Sequence, residues 1–141
     1  MCRPSIFKTF NVTNKALFTS MRLHTLRDDA VVVYLNGVEI FRDNIVAGTP
    51  TYNTFATDST EPGAYLDVNL PLDNLLDGSN ILTAEVHQST LGSSDLAFDC
   101  ALDGVAPLGG AGTVILALTS PKATQPITTA TTTLTATVRP S

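Results

Sequence analysis

The chain has 141 residues, which is enough for one domain with an ordinary hydrophobic core. Its net charge is −5, and its eight lysines and arginines are spread from Arg3 to Arg139. Because nucleic-acid binding needs clustered basic residues, we predict no nucleic-acid partner. No apolar run approaches the roughly 18 residues of a membrane-spanning helix, so we predict no membrane insertion.

The amino-terminal residues do not have the pattern of an export signal. Residues 1–5 lead straight into a strand-like segment, without the apolar stretch of a signal peptide. We therefore expect no signal peptide in this chain. Either one has been removed, or the protein is not exported by that route.

Alternation of apolar and polar residues runs along most of the chain, and no segment has a sustained helical period. This pattern predicts an all-β fold. The expected strands lie at residues 6–12, 17–23, 31–35, 38–41, 66–70, 82–86 and 96–102. Residues 42–63 are expected to form a long loop, with a short strand near Tyr52 to Phe55.

The dipeptide Asn36-Gly37 separates two apolar runs and predicts a two-residue hairpin turn of type I′. Since the turn determines the register, the facing residues can be read from the sequence. The predicted pairs, with the two core-facing pairs first, are Leu35–Val38, Val33–Ile40, Tyr34–Glu39 and Val32–Phe41.

Arg42 conflicts with this register because it falls on the core-facing side, opposite Val31. Its charge must then reach the rim of the sheet or find a carboxylate. The nearest candidates in the sequence are Asp28, Asp29 and Asp43.

The last part of the chain differs in composition from the rest. Residues 107–112 are rich in glycine and predict a linker. Eight of the last 21 residues are threonine, and residues 113–141 are expected to form an extra pair of β-strands. Because two strands alone are only marginally stable, this pair must pack on the preceding domain or on another chain. The second arrangement would make a homo-oligomer or a larger assembly.

Three ordered blocks carry a family resemblance. Residues 26–44 contain the Val-Tyr-Leu-Asn-Gly hairpin, and residues 78–88 and 93–99 match later strands. Together they resemble the galactose-binding-like module of large secreted bacterial proteins, over about residues 5–105. One departure is Ala30, where that module usually has glycine. Residues 113–138 are more weakly similar to the start of a bacterial immunoglobulin-like repeat.

The resemblance implies a jelly-roll β-sandwich of two antiparallel sheets. We accordingly divide the chain into a galactose-binding-like β-sandwich at 1–106, a linker at 107–112 and a strand pair at 113–141. Proteins of this fold often bind glycans at loop ends or on a concave sheet face, whereas others are spacers without a ligand. The fold by itself does not decide between these roles.

The two cysteines are Cys2 and Cys100, too few for a zinc spacing. Cys100 shares its apolar face with Phe98 and Leu102, which predicts a buried, unreactive thiol. A Cys2–Cys100 disulfide is the alternative, because the first and last strands of a sandwich often lie close together.

Asp28 and Asp29 are adjacent acids before the hairpin. Acid–base catalysis needs carboxylates that converge in a cleft, whereas adjacent residues entering a strand point apart. We expect a turn and a salt bridge at the rim. The resemblance adds an alternative, since jelly rolls of this type sometimes hold one structural calcium ion through backbone and carboxylate oxygens. No other cofactor is expected.

His87, with Glu85 and Asp99, is the nearest approach to a catalytic constellation. Neither a Gly-x-Ser-x-Gly nor a His-Glu-x-x-His motif accompanies it. We expect a partly exposed strand histidine with local hydrogen bonds, or a residue that contacts a ligand. We predict no catalytic residues and no enzymatic activity.

The candidate ligand residues within one hairpin and its following loop are Tyr34, Asn36, Arg42, Asn44 and Tyr52, with His87 as a further candidate. A glycan site usually combines an aromatic platform with hydrogen-bonding groups, and this chain has no tryptophan. The alternative is that Tyr34 packs against a neighbouring sheet and that Asn36 only forms the turn.

Two functional classes remain open. The first is a non-catalytic extracellular module that binds a glycan or another surface polymer. The second is a structural subunit, such as a virion decoration protein or an extracellular filament, that assembles through its C-terminal strands. Either role places the protein outside the cell or on a particle surface.

Overall fold

The computed structural model describes residues 2–61, 63–93 and 95–107, with side chains from residue 6 onwards. The predicted linker is described only at its first residue, and the predicted strand pair at 113–141 lies outside the described residues. No helix in the described part of the chain is long and apolar enough to cross a membrane.

The described residues form seven strands and one short 3-10 helix, so the all-β prediction is confirmed. The elements are β1 (Cys2–Val12), η1 (Lys15–Leu17), β2 (Ser20–Arg27), β3 (Ala30–Leu35), β4 (Val38–Asp43), β5 (Leu66–Leu70), β6 (Gly78–His87) and β7 (Phe98–Val105). The prediction of a short strand near Tyr52 is wrong, because these residues form a turn within the loop between β4 and β5.

The strands make two antiparallel sheets. One has four strands in the order β1-β6-β3-β4, and the other has three in the order β5-β2-β7. Apolar side chains of the two inner faces form a shared core, as in a β-sandwich. Each fully buried aliphatic or aromatic side chain contributes about 1.5–3 kcal/mol. The buried core residues are Phe10, Val12, Phe18, Met21, Leu23, Val31, Val33, Leu35, Leu70, Leu75, Leu82, Ala84, Val86, Phe98, Cys100 and Leu102.

An ion pair joins the two sheets at one end of the sandwich. Arg27 ends β2 in the three-stranded sheet, and Asp43 ends β4 in the four-stranded sheet. The guanidinium Nε lies 2.7 Å from Asp43 Oδ2, and Nη2 contacts the same oxygen. Both side chains are largely covered, which shields the pair from solvent.

The predicted hairpin turn is present, with φ of 53° at Asn36 and 82° at Gly37. The two pairs beside the turn, Leu35–Val38 and Tyr34–Glu39, are those that the sequence predicts. Beyond them the register shifts, because β4 has one extra residue. Ile40 has no facing partner, and a β-bulge forms at this point.

The bulge makes the rest of the predicted register wrong. Phe41, rather than Ile40, faces Val33, and Arg42 faces Val32 instead of Val31. Since Val32 points away from the main core, Arg42 also lies on the outer face of the sheet. An unbulged hairpin would turn the guanidinium into the core, where an unpaired charge costs several kcal/mol.

Cys100 lies buried in the core, with no disulfide partner among the residues whose side chains are described. Burial, with a smaller effect of the Asp99 carboxylate, raises the pKa of Cys100 to about 12. A thiol in this environment is unreactive at neutral pH. The side chain of Cys2 lies outside the described residues, so the disulfide that would include it stays a prediction.

Gly104 in β7 gives a direct test of the packing between the sheets. A Cβ atom built at this position would overlap the Phe18 ring, 2.5 Å from Cδ1. We expect Gly104→Ala to lower the free energy of unfolding by roughly 1–3 kcal/mol, measured by denaturant titration. Gly63→Ala is the control, because its Cβ would meet nothing closer than the Glu61 carbonyl at 4.0 Å. Equal stability of the two variants would contradict this packing.

Candidate functional site

The loop at 44–65, between β4 and β5, folds over part of the outer face of the four-stranded sheet. Apolar residues from this loop and from β3 form a second, smaller cluster beneath it. Its members are Ala30, Val32, Ile45 and Ala56, with Tyr34 packed against them. No other described residue covers the far end of this face, and we call that end the open end and treat it as the candidate binding surface.

Asn44 holds the start of this loop in place. Its Nδ2 donates to the carbonyl oxygens of Asp29 and Asp58, at 3.0 and 2.7 Å, and to Thr60 Oγ1 at 3.1 Å. Its Oδ1 accepts from the Asp58 N–H at 3.2 Å. Asn44 has a φ of 56°, a backbone conformation that asparagine tolerates better than most residues. Asn44, a predicted ligand residue, therefore anchors the loop.

Asp29 holds the other side of the loop. Its Oδ1 accepts from the Thr60 N–H at 2.7 Å, and its Oδ2 accepts from the Ser89 N–H at 2.6 Å. Burial alone would raise the pKa of this carboxyl, but the hydrogen bonds from Thr60, Ser89 and the Ser59 side chain lower it below the ordinary value. The expected rim salt bridge is wrong for Asp29, because the buried carboxylate binds backbone N–H groups instead.

Asp28 is equally buried but has a different electrostatic environment. Burial, followed by the negative charges of Asp95, Asp29 and Glu61, raises the pKa of its carboxyl, while the Ala97 N–H partly offsets this shift. The expected rim salt bridge is absent here too, since no ion pair to Asp28 occurs among the described residues. The described residues also contain no group of three His, Cys, Asp or Glu side chains arranged to hold a metal ion.

Identical substitutions at these adjacent acids should have different effects on stability at neutral pH. Asp29→Asn replaces one of two acceptor oxygens by an NH₂ group facing an N–H, so unfolding should become easier by about 1–3 kcal/mol. Asp28→Asn removes a destabilising buried charge and keeps an acceptor for Ala97, so stability should stay level or increase. Thermal and denaturant unfolding of both variants measure the difference.

The pH dependence of these effects follows from the direction of each shift. The pKa of Asp29 is lowered by folding, so its contribution is present at neutral pH and disappears as pH falls through that pKa. The pKa of Asp28 is raised, so protonation relieves its penalty at acid pH. Both variants should therefore approach wild type on acidification. A loss of stability in Asp28→Asn at neutral pH would contradict this assignment.

His87 is fully buried, so the expectation of a partly exposed histidine is wrong. The reason is the loop: a turn at Thr51–Thr54 covers the imidazole, and Nδ1 lies 2.8 Å from the Thr54 carbonyl. Since a carbonyl only accepts, Nδ1 carries a hydrogen. Nε2 has no hydrogen-bond partner among the described residues, and Glu85 Oε2 lies 3.5 Å away.

The proposed grouping of His87, Glu85 and Asp99 is not assembled. Glu85 and His87 lie on β6 and share the outer face of the four-stranded sheet. Asp99 lies on β7 in the other sheet, where its Oδ2 accepts from the Tyr65 hydroxyl at 2.5 Å. His87, Glu85 and Asp99 therefore do not form one common site.

A polar cluster occupies the centre of the outer face, and we call Tyr34, Glu39, Arg42 and Glu85 the Tyr34 cluster. Strand pairing brings its members together. Tyr34 faces Glu39 across the β3–β4 hairpin, and Val32 lies between Glu85 on β6 and Arg42 on β4. Two predicted ligand residues, Tyr34 and Arg42, thus lie beside two carboxylates.

Burial and the carboxylates of Glu85 and Glu39 raise the pKa of Tyr34 to about 12, although Arg42 acts in the opposite direction. Tyr34 thus keeps its hydroxyl proton at physiological pH. The Glu85 carboxylate acts on this hydroxyl after burial, as the larger of the two carboxylate effects on the pKa of Tyr34. The phenol ring is partly buried and is fixed against the small apolar cluster below it.

Exposed apolar residues adjoin the Tyr34 cluster on the open side of the sheet. Thr83 of β6 lies between Tyr34 of β3 and Phe7 of β1. Phe7 is 59% exposed, and Ile81, two residues before Thr83, is 45% exposed. Aromatic and aliphatic groups with neighbouring hydrogen-bonding side chains are typical of ligand-binding surfaces.

The remaining predicted ligand residues lie apart from this cluster. Asn36 is at the hairpin turn, where its Nδ2 donates to Asn80 Oδ1 and to the Asn74 carbonyl, each at 2.8 Å. Its Oδ1 accepts from the Ile81 N–H at 2.8 Å, so its side chain connects the turn to β6. Tyr52 is 60% exposed in the turn that covers His87.

A second polar group, not singled out from the sequence, lies on the three-stranded sheet. His24 of β2 contacts Asp67 of β5 through Nδ1, and its Nε2 lies 3.1 Å from Asp103 Oδ2 of β7. Alternation indicates that these side chains face outward. Their meeting depends on the register between strands far apart in sequence, for which no hairpin turn gives a signal.

Comparison with protein-family models, with curated proteins and with solved structures gives no match.

Proposed function

We propose that this chain is a non-catalytic β-sandwich module that binds carbohydrate through the open outer face of its four-stranded sheet. The observation that carries the proposal is the Tyr34 cluster, which places a fixed aromatic residue between carboxylates and beside the exposed Phe7. Sugars combine an apolar C–H face with several hydroxyl groups, so this combination of groups fits them.

We also propose that the β-sandwich is a galactose-binding-like jelly roll. The two antiparallel sheets are compatible with a galactose-binding-like jelly roll, and the sequence blocks at 26–44, 78–88 and 93–99 support that assignment. We propose an extracellular location on the same resemblance, whereas a particle-surface location belongs to the alternative function.

A structural calcium ion near Asp28 is an additional expectation from this resemblance. The raised pKa of Asp28 is in keeping with it, since a cation would relieve the repulsion from neighbouring carboxylates. No ligand set is proposed. An increase of the melting temperature on adding calcium, absent in Asp28→Asn, would support this expectation, and identical melting with and without calcium would remove it.

The alternative function is a structural subunit that assembles through residues 113–141. In the described part of the chain, β7 pairs only with β2, and the chain continues from β7 towards the threonine-rich segment. An open strand edge can accept a strand from another chain. Light scattering with and without residues 113–141 distinguishes the two functions, because only the structural subunit should lose a high-order assembly on truncation.

Binding should depend on Tyr34. We expect retardation of the chain in native gels that contain neutral polysaccharides, and at least a tenfold weaker affinity for Tyr34→Ala, since loss of an aromatic anchor removes on the order of 1.4 kcal/mol or more. Tyr65→Ala is the control and should bind normally, because Tyr65 precedes β5 and its hydroxyl contacts Asp99 of the other sheet. Retention of full affinity by Tyr34→Ala, or no binding to any polysaccharide in a broad panel, would reject the proposal.

A further inference from the structure

The charge and hydrogen bonding of the Tyr34 cluster bear on the class of ligand that this face can hold. Arginine commonly binds the carboxylate or sulfate of an acidic sugar, and Arg42 lies within this cluster. Whether the Arg42 guanidinium is available to a ligand depends on what its N–H groups already contact.

The donors of Arg42 are largely occupied by the protein itself. Nε and Nη2 each donate to a different oxygen of Glu39, both at 2.6 Å, which is a bidentate pair. Nη1 donates to the Val46 carbonyl at 2.5 Å, and Nη2 also donates to the Gly48 carbonyl at 3.0 Å. These four bonds use four of the five N–H groups of a guanidinium. An acidic ligand would have to displace Glu39 to form the same fork.

The remaining groups of the cluster are mainly hydrogen-bond acceptors. Glu85 and Glu39 are carboxylates, and only Arg42 opposes their charge, so two negative charges and one positive charge leave the cluster at −1. The whole chain carries a net charge of −5. Both the local and the overall charge disfavour an anionic polymer.

Among the side chains that the structure describes, those beside the cluster on β1 and β6 are uncharged. The outward-facing residues of β1 and β6 nearest to it are Phe7, Thr9, Ile81 and Thr83. They provide two apolar side chains and two hydroxyl groups across neighbouring strands. This surface suits the C–H faces and hydroxyls of a second sugar unit.

We propose that this face selects neutral, hydroxyl-rich glycans and rejects acidic ones, because its carboxylates accept hydrogen bonds from sugar hydroxyls while its guanidinium is already paired. This inference rests on the proposed carbohydrate-binding function. In wild type, Glu39 therefore acts as a specificity residue as well as the partner of Arg42.

Polysaccharides that share a backbone but differ in charge test this selectivity. Affinity electrophoresis at about 0.15 M salt, a concentration that screens distant charges, compares hydroxyethyl cellulose with carboxymethyl cellulose, and fully methyl-esterified polygalacturonate with polygalacturonate. We expect at least a tenfold stronger affinity for the neutral member of any pair that the chain binds. Equal or stronger binding of the acidic member would overturn the inference and leave the carbohydrate-binding function intact. Absence of binding to all four polymers would instead count against that function.

Glu39→Gln and Glu85→Gln each remove one negative charge. Comparing them distinguishes the effect of the Glu39–Arg42 pair from simple charge repulsion of an acidic polymer. Glu39→Gln leaves one acceptor oxygen where there were two, so it partly releases the Arg42 guanidinium. Glu85→Gln removes one negative charge without touching that pair. We expect Glu39→Gln to bind the acidic polymers at least fivefold more tightly than wild type, and Glu85→Gln to gain less than twofold and to lose affinity for neutral polymers. An equal gain in both variants would reject the role of the Glu39–Arg42 pair.

Discussion

One extra residue in β4 decides which way Arg42 faces, and the candidate binding surface depends on it. Without the bulge at Ile40, the regular pairing from the Asn36-Gly37 turn would direct Arg42 into the core. With the bulge, Phe41 faces the core side of β3, and Arg42 lies beside Val32 on the outer face. Desolvation of an unpaired guanidinium costs far more than a locally disturbed strand ladder, so the bulged register is the stable one.

The second constraint is the loop at 44–65, which divides the outer face into a covered and an open part. Buried polar groups hold this loop: Asp29 accepts two backbone N–H groups, Asn44 spans three partners, and His87 binds the Thr54 carbonyl. Each of these groups would be costly to bury unpaired, so they specify one loop position. The covered part supports the Tyr34 ring from below, whereas the open part leaves Phe7 exposed to solvent.

Local patterns in the sequence predict the strands, the hairpin turn and the inward direction of residues such as Leu82 and Val86. They do not predict the bulge, because Ile40 and Phe41 are both apolar and either could face the core. The burial of His87 and Asp29 also escapes such patterns, since it depends on loop contacts like that between Asp29 and Ser89, 60 residues apart. Tyr34 and Arg42 could be selected from the sequence, whereas Glu85 joins them only through the pairing of β3 with β6.

Amide chemical-shift mapping by NMR shows directly whether a ligand binds the outer face of the four-stranded sheet. On titration with neutral oligosaccharides, we expect chemical-shift changes concentrated at Tyr34, Glu39, Arg42, Thr83 and Glu85, with little change in β2, β5 and β7. Shifts concentrated around His24, Asp67 and Asp103 on the three-stranded sheet would contradict this expectation and place the site on the opposite face of the sandwich.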